Sequence, residues 1–573
     1  METKYAKSAY RTFLFWGICS SLGITISTLI DATLVGNFIG SEGLAIANIA
    51  TPVFLIYALL GITLGSGANV LIGKFLGASD IEKANANFKY VLSIGVIVGI
   101  VLSIISLIFR KAFCIFLGAT PELLSQVLKY LIVVFCSAPI FVLYHILSAT
   151  VRTDGEPKLT AIASIGVIIT NLSLDLLFMK VLNWGLIGAS SSLCIAELIG
   201  CFILLIHFTR KQALLKLHLC IPTINATKQF ISNGFGVGSA FIFQAIVMLV
   251  FNTLLLKNDL ENGVFFVAVF GVMYTISTVS SAVFDGAGAA ASTVVSILAG
   301  EKEQKGMMAV YNDGIRIVVM AGTIIAALFV LFAEKILMFF GLSSTTSFDI
   351  AVMAFRIYVS SFILAGINVV TISFWQTIGR IKLASCLSIL RNFILMLLFG
   401  VFLILYNGII GLSFVYLISE IICLLLILII KIFSSSRKYI AEKYNFTNKM
   451  FEHFYPIEAG SMEEVANNLE ALCEEWNIDY KHSFFINLIV EELIINIMKF
   501  GLKNTKKNYY VSVKLIDNNG EYILRIRDNV NTYNPFDLHG DEIDKAAMKL
   551  ITQKAKYYNY QRKLVFNYLY VII

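Results

Sequence analysis

Asp154-Gly155-Glu156-Pro157-Lys158 is a short charged loop between two long apolar segments, and Ile378-Gly379-Arg380-Ile381-Lys382 has the same character. Both loops continue into apolar, Ser-containing sequence. Three residue pairs match at one offset of about 224 residues: Gly155 and Gly379, Lys158 and Lys382, and Ser164 and Ser388. The spacing predicts two copies of one membrane unit.

A second set of matches, shifted by one residue, supports the repeat. Chance similarity between Leu/Ile-rich segments does not readily place Gly, Ser and Glu at one offset. An internally duplicated membrane segment is typical of a transporter with its central site between the two copies. The matches are Gly118 with Gly341, Gly185 with Gly408, Ile187 with Ile410, Gly188 with Gly411, Ser190 with Ser413 and Glu197 with Glu420.

Composition indicates a membrane protein. Of 573 residues, 58% are hydrophobic, against roughly 45–50% in soluble globular domains, and the mean hydropathy is +0.81. The net charge of +7 fits Lys/Arg-rich cytoplasmic loops and does not require a nucleic-acid partner. The nine cysteines include no Cys-x-x-Cys pair and are expected as small core residues. We find no cleavable signal peptide.

Hydropathy predicts an all-α polytopic protein with about twelve transmembrane helices, followed by an α+β domain. Charged residues are scarce before about position 430 and common after it. We expect a first six-helix lobe over 1–220, a second over 221–433, a polar linker over 434–450 and a soluble domain over 451–573. In that domain a hairpin is predicted around residues 518–520 and a closing strand at about 563–572.

Basic residues predict the orientation. With the N-terminus inside, about twenty Lys and Arg residues lie in inside segments and about five outside. An even number of spans returns the C-terminal domain to the same side. We therefore expect a multi-pass plasma-membrane protein with both termini in the cytoplasm.

Three polar residues in the first lobe are candidates for cation coupling. Asp31 lies in the first apolar span, and Asn171 and Asp175 lie one turn apart on the fifth. Carboxylate and amide oxygens suit Na⁺ or a proton, and their charge can be neutralised and released in a transport cycle. The alternative is that they are buried polar groups that hold helices together.

Three further carboxylates are candidates for the substrate cavity. Glu197 and Glu420 occupy equivalent repeat positions, so a shared structural role is the alternative. Asp285 lies in a Gly/Ala/Ser-rich span, either at a close helix contact or facing the cavity.

A set of ordered motifs resembles the multidrug and toxic compound extrusion (MATE) family of the MOP superfamily. The resemblance covers about 430 residues and implies two six-helix lobes, alternating access and cation-coupled export of organic, cationic compounds. It places the coupling cation at Asp31, Asn171 and Asp175. Residues 12–30 lack the proline often found in the family's first helix. The motifs are LIDATLVGNFIG (29–40), GASDIEKA (77–84), FLGATPELL (116–124), VRTDGEPK (151–158), NLSLDLLF (171–178) and GLIGASSSL (185–193).

The C-terminal domain carries polar residues at helical spacing. Glu492, Asn496 and Lys499 recur at i, i+4 and i+7 on a predicted helix. A carboxylate, an amide and an ammonium suit a water, a metal ion and phosphates. A solvated helix face is the alternative.

With the following hairpin, this helix resembles the Bergerat-type ATP-binding fold of histidine kinases and anti-sigma-factor kinases. The resemblance implies Glu492 as general base, Asn496 as Mg²⁺ ligand, Lys499 as phosphate contact and Asp528 as acceptor from adenine. Several glycine or histidine positions are replaced, by Phe500, Val530, Ala546, Ala547 and Val565. Because a Cβ hinders close approach to phosphate, we expect a degenerate domain with at most Mg-ATP binding and no enzymatic activity.

Two other functions stay open. A lipid-linked oligosaccharide flippase would carry basic cavity residues, whereas the buried charges noted here are mostly acidic. A membrane sensor would signal through the kinase-like domain, with a cytoplasmic regulatory protein as partner.

Overall fold

The computed structural model describes most of the chain. Of some residues (24, 27–33, 35–39, 41, 42, 44, 45, 48, 264, 461, 462, 500 and 542–547) only the backbone is described. The described ranges are 3–39, 41–117, 119, 121, 123–210, 212–258, 262–340, 342, 347–444, 449–457, 461–502, 509–518, 520–531, 533–536, 542–564 and 566–573.

The chain divides into two compact units. Ala6–Lys443 forms the larger one, and Met1–Tyr5 groups with Tyr444–Ile573 in the smaller one. The larger unit is helical. Its elements are α1 (Lys4–Ile39), α2 (Ser41–Gly77), α3 (Ile81–Ile108), α4 (Arg110–Phe116), α5 (Leu124–Cys136), α6 (Ala138–Thr153), α7 (Pro157–Asp175), α8 (Gly185–Leu205), α9 (Ile224–Asn258), α10 (Gly263–Gly300), α11 (Gln304–Leu331), α12 (Ala333–Phe339), α13 (Phe348–Ser360), α14 (Phe362–Thr377), α15 (Ile381–Ile389), α16 (Leu395–Phe433) and α17 (Ser436–Lys443).

Within the described residues, nine helical segments are long and apolar enough to cross a membrane. A tenth is obtained if α5 and α6, bent by 47°, are one span. That count does not include α1. It treats Ile381–Phe433 as one segment of 53 residues, about 80 Å if straight and more than twice a bilayer core.

The chain reverses direction inside that long segment, at Gly408. Its φ of 53° and ψ of −130° are accessible at little cost only to glycine. A Cβ on Gly411 would lie 1.9 Å from the carbonyl oxygen of Leu403, whereas eight residues of straight helix span about 12 Å. The two parts of α16 therefore lie side by side.

The two repeated loops have the same backbone conformation. Gly155 has a φ of 96° and Gly379 a φ of 95°, and both follow a helix end and precede a new helix. The same order of two consecutive helices, a short loop and a further helix occurs in both halves of the unit. The glycines are required because a side chain at positive φ is strained.

Each repeated loop binds the segment that follows the last helix of its half. In the first half, Asp154 Oδ2 accepts hydrogen bonds from His207 Nε2 at 2.7 Å and Leu214 N at 3.1 Å. In the second, Arg380 donates to Ser434 O at 2.8 Å, and its guanidinium lies 4.4 Å from the ring centre of Tyr439. The segment expected as a polar linker thus contains a helix, α17, packed on the Arg380 loop.

A buried polar network joins the halves at the loop-bearing ends of α6 and α14. Asn69 Nδ2 donates to Ser292 Oγ at 3.0 Å, and Asn69 Oδ1 accepts from Thr153 at 2.6 Å and Thr293 at 3.1 Å. Thr377 Oγ1 lies 2.9 Å from Ser292 Oγ. Because α2 and α6 belong to one half and α10 and α14 to the other, the network closes the bundle at this end.

Close backbone packing reinforces the closure. A Cβ on Gly77 would lie 1.9 Å from the Ile297 carbonyl oxygen, so α2 and α10 meet without side chains between them. Arg11 of α1 forms a bidentate ion pair with Asp313 of α11, at 2.8 and 3.0 Å.

The smaller unit is an α+β domain built on an antiparallel sheet of order β1-β2-β3-β5-β4. The hairpin around residues 518–520 is confirmed, and so is the closing strand expected at about 563–572, which spans Phe566–Ile572. A further strand at Tyr557–Lys563, which the sequence did not predict, pairs with it. The elements are β1 (Met450–Pro456), α18 (Ser461–Glu475), α19 (Tyr480–Asn496), β2 (Tyr510–Asn518), β3 (Glu521–Asp528), α20 (Glu542–Lys554), β4 (Tyr557–Lys563) and β5 (Phe566–Ile572). Its core lies between the helices and one face of the sheet, with Leu469, Leu493, Val513 and Leu524 fully buried.

Candidate functional site

Asn171 and Asp175 form a buried polar pair on α7. Asn171 Nδ2 donates to Asp175 Oδ2 at 3.2 Å, and the two residues are 1% and 2% exposed. The one-turn spacing predicted from the sequence therefore brings the two side chains together. The pair supplies carboxylate and amide oxygens, the ligands that hard cations prefer.

Ser192 on α8 completes this group. Its fully buried hydroxyl donates to Asp175 Oδ1 and also lies 2.8 Å from the carbonyl oxygen of Ala189. Sequence analysis missed Ser192, although the small-residue run 188–192 was part of a quoted motif. A π-helical turn, Leu176–Val181, directly follows Asp175, and such turns are frequent at functional sites.

Asp31 cannot be added to this group from the structure. Its backbone belongs to α1, but its side chain lies outside the described residues. Within the described part of the chain, no group of three or more His, Cys, Asp or Glu side chains is arranged to hold a metal ion.

Glu420 forms an ion pair with a half-buried arginine in the second half. Arg391 Nη2 lies 2.6 Å from Glu420 Oε1, and Arg391 Nε lies 2.8 and 2.9 Å from the two carboxylate oxygens. Asn368 Nδ2 donates to Glu420 Oε2 at 2.6 Å. Sequence analysis missed Arg391, which stands next to Asn392 in an otherwise apolar span.

Asp285 on α10 is exposed. It lies within electrostatic range of Arg391. The next residue, Gly286, contacts the backbone of Gly17 on α1, so Asp285 stands where the two halves meet.

Glu197 on α8 differs from its counterpart Glu420. It is half-buried, and its Oε2 is buried without a hydrogen-bond partner among the described residues. The structure therefore does not give the two repeat-related glutamates the same surroundings.

Asp528 ends β3 and is fully buried in the smaller unit. Its Oδ1 accepts from Asn567 Nδ2 at 2.7 Å and Val530 N at 3.1 Å, while Oδ2 has no hydrogen-bond partner among the described residues. Burial raises the pKa of Asp528 to about 7, against the opposing effect of Asn567. The acid is thus part of a polar group that includes Asn567.

The residues of α19 and its C-terminal end that were expected to bind a nucleotide differ in their burial. Asn496 is buried and donates to the Glu492 carbonyl oxygen at 2.8 Å. Lys499 is exposed on a π-helical turn, Ile497–Gly501. This turn shifts Lys499 from the expected α-helical register relative to Glu492.

Val530 stands where the ATP-binding fold usually has a glycine, and its side chain packs beside the π-helical turn Ile497–Gly501. A Cβ on Gly501 would lie 2.3 Å from Val530 Cγ2. Val565 lies outside the described residues, as do the side chains of Phe500, Ala546 and Ala547.

The family profile of MatE matches residues 18–177 and 237–402, more than half of the chain. The chain belongs to the MatE family. MatE proteins are transporters and not enzymes, and the matched residues include Asn171, Asp175 and Asp285 but end before the smaller unit.

Relatives and solved structures agree with the MatE assignment. The Multidrug export protein MepA of Staphylococcus saprophyticus is 23% identical over 441 residues, covering 74% of this chain and 93% of that protein. MepA of Staphylococcus aureus is 24% identical over 434 residues, with the same coverage. The outward-facing structure of a multidrug resistance MATE transporter of the MOP superfamily superimposes with a TM-score of 0.71 at 22% identity, covering 76% of this chain and 98% of that one.

Proposed function

We propose that this protein is a cation-coupled multidrug antiporter that exports organic cations by alternating access. The Asp175 group is the observation that carries the proposal, because an acidic side chain held by an amide and a hydroxyl can bind Na⁺ or a proton and later release it. The names of the MepA relatives support drug export. Asp31 completes the proposed coupling site.

In this proposal the two halves rotate about the contact between them, so that the central cavity opens first to one side of the membrane and then to the other. Adding α1 and the bent α5–α6 pair to the nine spans, and counting two crossings for the segment that reverses at Gly408, we infer twelve crossings with both termini in the cytoplasm. The Asn69 network then lies at the cytoplasmic end. The conformation described here would be closed toward the cytoplasm, and loading substrate from that side would require the network to open.

Asp285 is the proposed contact for the positive charge of the substrate. Asp285 is exposed and lies on α10 directly before the contact of Gly286 with α1, whereas Glu420 is paired with Arg391. This pairing also argues against a flippase, because the guanidinium that could bind a phosphate already has a carboxylate partner. The proposed substrates are therefore lipophilic organic cations.

Transport by purified protein in liposomes tests this function. Ethidium movement is followed under an imposed Na⁺ gradient, a proton gradient or neither, with Asp175→Asn as comparison. We expect one gradient to drive ethidium in wild type and the variant to lose at least 90% of that flux. Equal ethidium movement with and without gradients would contradict antiport.

For the smaller unit we propose a regulatory domain derived from a nucleotide-binding fold. The buried Asp528 stands where the ATP-binding fold resemblance places the adenine acceptor, but Asn567 already donates to it. Thermal denaturation of the full chain with and without Mg-ATP tests binding, with Asp528→Asn as comparison. A stabilisation present in wild type and absent in the variant supports nucleotide binding, and equal curves in wild type remove ATP from the proposal.

A further inference from the structure

Glu197 and Glu420 occupy matching positions in the two halves, but only one has a counter-ion. Glu420 receives two Arg391 nitrogens and the Asn368 amide. No basic side chain pairs with Glu197 in the described part of the chain, and its Oε2 is buried without a hydrogen bond. The repeat therefore conserves the carboxyl group and changes what balances it.

The difference follows from the sequence of α7. With repeat offsets of about 223 and 224 residues, the position in the first half that corresponds to Arg391 is Ile168 or Val167. Both residues are apolar. An ionised carboxylate without a counter-ion in a helix bundle within lipid costs several kcal/mol. Binding a proton removes that cost, whereas Glu420 can stay ionised beside its guanidinium.

The groups around Glu197 are weak acids and hydroxyls. From α6, Tyr144 lies within electrostatic range, and from α8 itself so do Cys194 and Cys201. The helices packed against α8 carry other titratable side chains, and each of these has its own contact away from Glu197. On α7, Asp175 binds Ser192; on α5, Cys136 lies near Cys194; and on α6, His145 contacts α2 at Gly61.

A chain of hydroxyl groups leads away from this position. Tyr144 Oη lies 3.1 Å from Ser164 Oγ, which lies 2.7 Å from Ser20 Oγ. These three residues belong to α6, α7 and α1, and all are buried. The chain connects the surroundings of Glu197 with the helix that carries Asp31.

We propose that Glu197 is a second proton-binding site of the first lobe, distinct from the Asp175 group, and that it exchanges its proton during transport. In the conformation described here Glu197 is the neutral acid. When the helices of the lobe move, the O–H bond of Glu197 breaks and the proton passes along the hydroxyl chain to water, leaving the carboxylate. The role in transport rests on the antiport function proposed above, whereas protonation of Glu197 does not.

Infrared spectroscopy of the full chain in lipid nanodiscs tests protonation. The carbonyl band of a protonated carboxyl group is recorded at neutral pH in wild type, Glu197→Gln and Glu420→Gln. We expect the variant at Glu197 to lose a band that the variant at Glu420 keeps, and Glu197→Asp to restore it at a shifted frequency. An identical band in wild type and Glu197→Gln would overturn the proposal.

Proton release on ethidium binding tests the role in transport. A pH-indicator dye in weak buffer counts protons released per bound ethidium at saturation, so a change in affinity does not enter. We expect Glu197→Gln to release at most half as many protons as wild type, and Tyr144→Phe to slow the release. If Glu197→Gln loses the infrared band but releases as many protons as wild type, Glu197 is protonated throughout the transport cycle. That result would overturn the proposed proton exchange. Absence of ethidium binding in wild type would contradict the antiporter and leave the infrared result to decide protonation.

Discussion

Asp175 accepts hydrogen bonds from two neutral groups, the Asn171 amide and the Ser192 hydroxyl. A hydrogen bond to a charged group contributes about 1.5–3 kcal/mol. We expect Ser192→Ala to change the cation concentration needed for half-maximal ethidium transport by about tenfold, because the hydroxyl no longer orients the carboxylate.

Ser190→Ala is the matched control for that change. Its hydroxyl lies on the same helix but bonds only to backbone carbonyl oxygens of Leu186 and Ile187. The same cation dependence for both variants would show that the Ser192–Asp175 hydrogen bond has no part in coupling.

Asp528 predicts an unusual pH dependence in the smaller unit. Its pKa of about 7 lies above the value of about 3.9 in an unfolded chain. The folded state therefore binds the extra proton, and its stability falls as the pH rises from about 4 to about 7. Asp528→Asn removes this dependence.

Hydrogen–deuterium exchange of β3 in the full chain measures this effect. Comparing wild type and Asp528→Asn at one pH cancels the intrinsic exchange rate. We expect the protection of wild type relative to the variant to be greater at pH 5 than at pH 8. A ratio independent of pH would contradict the raised pKa.

At the scale of helices, the Arg391–Glu420 pair joins the π-helical turn Leu390–Ile394, between α15 and α16, to the second part of α16, and Asn368 joins α14 to the same carboxylate. Removing one partner of a buried pair costs about 3–5 kcal/mol, whereas replacing both by apolar residues is often neutral. We expect Glu420→Met to lower the denaturation temperature strongly and the double variant with Arg391→Met to recover most of it. A double variant less stable than the single one would show that the pair has another function.

Sequence patterns predicted the helices and strands better than they predicted which side chains contact each other. Hydropathy and the repeated loops gave the helical lobes, because lipid requires long apolar spans, and alternation gave the β2–β3 hairpin. β4 was missed because Tyr557–Lys563 is mostly polar and lacks the apolar alternation that predicts a strand. Ser192 and Arg391 were missed because their significance comes from side chains on other helices, Asp175 and Glu420, which periodicity along one helix does not reveal.

For the whole molecule, Asn69 is the centre of the contact between halves. Asn69→Ala removes three side-chain hydrogen bonds across or beside that contact. We expect a population in which the loop-bearing ends of the two halves are separated, measured as longer spin-label distances between positions 82 and 302 in a cysteine-free background. Asn87→Ala, whose amide bonds only within α3, is the control, and an unchanged distance distribution in Asn69→Ala would contradict a closing role.

The central claim is that a cation and the substrate compete through the Asp175 group, and equilibrium binding tests it most directly. Ethidium affinity of the purified protein is measured by fluorescence as Na⁺ or proton concentration is raised. An antiporter requires the cation to weaken ethidium binding, by about 5–150-fold for a coupling energy of 1–3 kcal/mol. We predict this weakening in wild type and its loss in Asp175→Asn; the same cation dependence in both proteins would contradict the account.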